Sequence, residues 1–162
     1  MLSMKLIRKG FIGVLAAFMV SAVTPLLIPF ALDGDGNLNG AGYAAGVMFW
    51  AGLIAGCAGY ALLYRKEKQN LPKRIQNERK PAAVKFFSSR GAWISDVLLI
   101  ISLAVTIYCM VNINANQTIA AVFLFLLLAA VYLHFLLNGK IYHYIEKSLL
   151  ITKEGEKQNG KA

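Results

Sequence analysis

The chain has 162 residues, 57% of them hydrophobic and 15% charged, with a formal net charge of +9. Charged residues make up about a quarter of a typical soluble domain, so this chain is poor in them. Its hydrophobicity excludes intrinsic disorder, and its 2 cysteines exclude a disulfide scaffold. What is left is a water-soluble helical protein or one that crosses a membrane several times.

The uncharged runs decide between them. No Lys, Arg, Asp or Glu occurs from Gly10 to Leu32, from Gly36 to Tyr64, or from Val97 to Gly139. A hydrocarbon core about 30 Å thick needs roughly 20 helical residues. The first two runs each hold one span. The third holds two, with Asn112-Ile113-Asn114-Ala115-Asn116-Gln117 as the turn between them. The expected fold is therefore all-α and polytopic: four transmembrane helices near 11–32, 43–64, 94–113 and 118–137, paired as two antiparallel hairpins in a single unit. Period-2 alternation is absent, so strands are not expected. The run Phe123-Leu124-Phe125-Leu126-Leu127-Leu128 leaves no face for water.

Span one follows Lys5, Arg8 and Lys9. A cleaved signal peptide is the competing reading, with Val20-Ser21-Ala22 as its cleavage site. The apolar character continues through Phe30, past the usual length of such a segment, which favours a retained span. Pro25 and Pro29 predict a kink near the outer boundary, and Gly13, Ala17 and Ser21 form a small-residue face. The loop Asp33-Gly34-Asp35-Gly36-Asn37 begins like a calcium loop, but Leu38 and Ala44 stand where the pattern needs Gly and Glu. No metal is expected there.

Span two is dense in small residues at four-residue spacing: Gly42 and Gly46, Gly52 and Gly56, and Ala51, Ala55 and Gly59. Such faces let helix backbones approach closely in lipid. A cytoplasmic loop is expected over 65–90, with Phe86 and Phe87 anchoring it at the interface beside Lys85 and Arg90.

Spans three and four carry the candidate constellation. Folding the chain about Ala115 puts Asp96 and His134 equally far from the pivot, hence at one depth. Ionisable residues inside a bilayer are candidates for function. The competing reading leaves Asp96 to the helix dipole and His134 to interfacial water. Ser95, Ser102, Thr106 and Cys109 share one side of span three, a weakly polar stripe that serves helix packing or lines a narrow path. Cys57 and Cys109 fall at different depths, so no thiol site is expected. After Asn138-Gly139 an interfacial helix is expected over 140–152, with a disordered tail over 153–162.

All 17 Lys and Arg precede span one, lie between spans two and three, or follow span four. The positive-inside rule then puts both termini and the middle loop in the cytoplasm. The short loops and Lys-rich ends suggest the cell membrane as the location. Placed this close to the spans, the basic charge is explained by orientation and anionic lipid, without nucleic acid. No nucleotide loop, metal-protease, thiol or serine-hydrolase motif occurs, so neither an enzyme nor a cofactor is expected. Two functions fit: a non-enzymatic accessory or interaction protein, protective immunity-type roles included, or a small oligomeric transporter or channel with a polar path along span three. The expected partners are the lipid bilayer and either a larger membrane complex or a second copy of the chain.

Overall fold

The computed structural model describes residues 4–76, 86–87, 90–112, 116–139, 141–145, 147 and 149–151. The described residues are helical throughout the long segments. The elements are α1 (Met4–Val23), a 3-10 helix (Thr24–Phe30), α2 (Gly40–Asn70), α3 (Lys73–Gln76), α4 (Arg90–Val111) and α5 (Gln117–Asn138). Four segments are long and apolar enough to cross a membrane: Gly10–Phe30, Gly40–Asn70, Ala92–Val111 and Gln117–Asn138. The expected disordered tail lies outside the described residues, as does most of the expected 65–90 loop beyond Gln76.

Proline explains the break in the first span. α1 stops at Val23, and the chain tightens into the 3-10 helix with Pro25 near its start and Pro29 inside it. Proline lacks the amide hydrogen that an α-helical ladder needs, and its ring crowds the preceding turn. The hydroxyl of Thr24 donates to the Ser21 carbonyl at 2.8 Å, satisfying one acceptor at the break. The loop after it is a tight turn. Asp33 Oδ1 accepts the Asp35 and Asn37 amides at 3.0 and 2.8 Å, and Gly36 takes a left-handed φ of 81°. Its leading carboxylate thus serves the turn's own backbone, as Asp does in Asx-turns. Asn39 then caps α2, its Oδ1 accepting the amides of Ala41 and Gly42.

α2 runs 31 residues, about 46 Å at 1.5 Å per residue. That carries it well past the expected end at Tyr64. Arg65, Lys66, Glu67, Lys68 and Gln69 are all good helix formers. The helix stops only before Pro72, which pushes Leu71 into extended geometry (φ −97°, ψ 146°).

α1 lies mainly against α2, and α4 mainly against α5, while α5 also meets α1 and the 3-10 helix. Small residues set the first contact. A Cβ on Gly52 would stand 2.6 Å from the Ser21 amide nitrogen, and one on Gly56 would stand 2.6 Å from the Phe18 ring. A Cβ on Gly59 meets Val14 at 3.1 Å, and one on Gly42 meets the Ala31 carbonyl at 2.7 Å; around Gly46 there is open space. The apolar core joins Val14, Phe18, Leu63, Leu136 and Ile141. Residues 141–145, 147 and 149–151 are helical. Ile141 and Tyr144 are fully buried, and the Tyr144 ring leans on Tyr64. The apolar side of this last helix is thus turned onto the bundle.

The surface reverses the pattern of a water-soluble protein. Buried positions include Ser21, Thr24, Ser95, Asp96, Ser102, Thr106, His134 and Asn138, whereas Ile54, Trp50, Ile100, Ile107, Val111 and Phe135 are exposed. Polar groups inside and large aliphatic groups outside fit a medium that cannot hydrogen-bond.

Candidate functional site

The candidate site forms where α4 and α5 face each other near Arg90 and Asn138. Asp96 is the seventh residue of α4, beyond the first turn in which a helix dipole acts strongly. Its side chain is 0% exposed and points across to α5. There Asp96 Oδ1 lies 2.6 Å from His134 Nδ1. Asn138 sits one turn beyond His134, on the same face. Its Nδ2 donates to Asp96 Oδ1 at 3.2 Å and lies 3.1 Å from His134 Nδ1. From the other side, the backbone N–H of Phe87 donates to Asp96 Oδ2 at 2.6 Å.

Three polar groups thus converge on one carboxyl group: the Phe87 amide, the Asn138 carboxamide and the His134 imidazole. A polar group buried without partners is costly, and this one is engaged at both oxygens. Among the described aromatic rings Phe86 lies nearest the imidazole, with centroids 4.6 Å apart. His134 is left only 5% exposed.

The turn that supplies these contacts is strained. Phe87 has a φ of 55°, the single left-handed non-glycine residue among those described. For a residue with a Cβ this conformation costs about 1–2 kcal/mol, and it persists only where neighbouring contacts hold it. The hydrogen bond to Asp96 is such a contact. Phe86 therefore lies against a polar site while staying about half exposed.

The stripe on α4 is used differently. Ser95 donates to the Ala92 carbonyl at 2.8 Å, Ser102 to Leu99 at 3.2 Å and Thr106 to Ser102 at 2.7 Å. Each hydroxyl is satisfied by the preceding turn of its own helix. All three residues are buried, while Cys109 is half-buried, and Cys57 and Cys109 are both free thiols. An open groove of about 280 Å³ passes Thr106 and Cys109, walled by Ile28, Leu32, Met110 and Leu124. A second, about 270 Å³, runs between α1 and α2 past Gly10, Gly13, Ala55 and Gly59.

Three polar features escape sequence reasoning. Asn138 reads as a helix-ending residue before Gly139, and its spacing of four from His134 is the signal that would have joined it to the pair. Ser21 reads as a small packing residue, yet its hydroxyl lies 3.0 Å from that of Tyr132, whose ring stacks on Phe18 at 4.7 Å. Glu67 falls in the expected loop but is 1% exposed on the extended α2, and its Oε2 has no hydrogen-bond partner among the described residues. No group of three His, Cys, Asp or Glu placed to hold a metal occurs among the described residues. No family model, curated protein or solved structure matches the chain.

Proposed function

We propose that this is a multi-pass protein of the cell membrane that acts by associating with other membrane components, as a non-enzymatic accessory or protective subunit. The observation that carries the reading is how the interior polar groups are used. The hydroxyls of Ser95, Ser102 and Thr106 turn back onto their own helix, and Asp96, His134 and Asn138 satisfy one another. A path for solute or ions needs polar groups facing a lumen. These face helix backbone or each other.

In the proposed topology the spans form two antiparallel hairpins with both termini in the cytoplasm. The support is the one-sided placement of Lys and Arg, together with the opposite numbering along the α1–α2 contact, where Gly10 meets Leu63 and Gly52 meets Ser21. α2 leaves Tyr43, Val47, Trp50 and Ile54 exposed, a face for lipid or for a partner helix.

Reconstitution tests this against the oligomeric transporter. Purified protein in proteoliposomes is expected to move protons, potassium and a panel of small solutes no faster than empty vesicles. Cysteine crosslinking in native membranes from position 55 is expected to give a discrete, saturable adduct. Flux that is lost in Thr106→Val would replace this reading with the channel one.

A further inference from the structure

We propose that the Phe86–Phe87 turn is a gate over the His134 imidazole and that Asp96 is the catch that holds it shut. Four observations meet in this turn. The Phe86 ring lies against the imidazole, with centroids 4.6 Å apart. The Phe87 amide is tied to Asp96 Oδ2 at 2.6 Å. The Phe87 backbone is left-handed, at a φ of 55°. Both rings remain about half exposed, at 44% and 48%, so only part of their apolar surface holds the turn in place.

A strained turn with modest burial opens more readily than the helices beneath it, because local stability follows the contacts a segment makes. The same carboxyl group that grips the turn also shares a hydrogen bond with His134 Nδ1 and accepts from Asn138. Letting go of the turn therefore leaves α4 and α5 joined. Opening then uncovers an imidazole, a carboxyl group and a carboxamide together, while the bundle stays intact. Among the described residues, opening gives up the Phe87 hydrogen bond to Asp96 and the Phe86 contact with the imidazole, and it relieves the left-handed backbone at Phe87.

Chemical modification of the full-length protein in inverted membrane vesicles reads the gate directly. Diethyl pyrocarbonate acylates accessible imidazoles, and peptide mass spectrometry reports His134 and His143 separately. His143, which is only partly buried, serves as the internal reference. In the wild type His134 is expected to react about tenfold more slowly than His143, as a locally protected site does. Phe86→Ala removes the cover and is expected to bring the two rates together. Asp96→Asn offers fewer acceptor sites to the same donors and is expected to raise His134 labelling as well.

Position 87 supplies the decisive contrast. Phe87→Pro removes the amide hydrogen and fixes φ far from 55°, so His134 labelling is expected to rise. Phe87→Gly keeps the hydrogen and relieves the strain, so labelling is expected to fall about fivefold or more. Loss of the Phe87 ring alone would move both variants the same way, and that outcome overturns the proposal. So does equal reactivity of the two histidines in the wild type, or a His134 that stays unreactive in Phe86→Ala. Phe86 and Phe87 lie outside the helices, so these variants leave the spans unaltered.

Discussion

Asp96 holds more of the structure than its size implies, because three polar groups from two places end on it: two from α5 and one from the Phe86–Phe87 turn. Removing one member of a buried hydrogen-bonded cluster leaves its partners unsatisfied, at a cost of about 1–3 kcal/mol for each group. Asp96→Ala is therefore expected to lower the melting temperature in detergent sharply. Asp96→Asn, which keeps the volume and one acceptor oxygen, is expected to lose clearly less. Equal losses would mean that packing volume, rather than acceptor chemistry, matters at this position. By contrast Tyr132→Phe removes one neutral hydrogen bond to Ser21, where losses in membranes average about 0.6 kcal/mol, and is expected to melt close to the wild type. The depth match of Asp96 and His134 is readable from residue counting alone, since both helices are uninterrupted and the turn between them is short. The third and fourth members of the cluster are not so readable. Asn138 looks like a helix stop, and a backbone amide from a turn nine positions before Asp96 leaves no pattern in the side chains.

At the scale of the helices, position along a small-residue face does not reveal which glycines touch a neighbour. Gly42, Gly46, Gly52, Gly56 and Gly59 look alike as a spacing pattern. Yet Gly52 and Gly56 abut α1, whereas Gly46 faces open space. Spacing marks a helix as able to pack closely; what the partner presents, here the backbone of Ala17 and Ser21 and the ring of Phe18, decides where it does so. Gly52→Ala drives a methyl group against the Ala17 carbonyl and the Ser21 amide, both rigid backbone. Overpacking of this kind costs about 1–3 kcal/mol. Gly46→Ala meets nothing and exchanges glycine for a better helix former, so its melting temperature is expected to stay level or rise. A drop of similar size in both variants would show that α1 and α2 do not pack in this register. The end of α2 carries a related lesson. Charge after Tyr64 marks where the apolar span ends, but helix propensity continues to Pro72. Leu63 and Glu67 are consequently buried along one face of a helix longer than hydropathy implies, with Leu71 buried just past its end.

For the whole molecule, the reversed distribution of polar and apolar residues and the one-sided basic charge are separate facts that must agree if the proposed topology is right. The first depends on what surrounds the helices, the second on which way the chain was inserted. Labelling of single cysteines tests the second without disturbing the first. Cys57 and Cys109 are replaced by alanine; Cys57 is exposed and Cys109 half-buried, and both are free thiols, so neither change breaks a bridge. A cysteine at Asn37, in the exposed turn before α2, is expected to react with a membrane-impermeant maleimide added to intact cells. One at Lys73, on α3 beyond the end of α2, is expected to react only after the membrane is opened. Orientation is set by basic residues close to the span ends. Moving that bias is therefore expected to move the labels: neutralising Lys5, Arg8 and Lys9 while adding two lysines to the 33–39 loop should produce molecules in which the Asn37 position is protected. If Lys73 reacts from outside in the unaltered chain, the basic segments are not what orients it, and the assignment of inner and outer ends to α4 and α5 must be exchanged. The cluster around Asp96 would then face the opposite compartment.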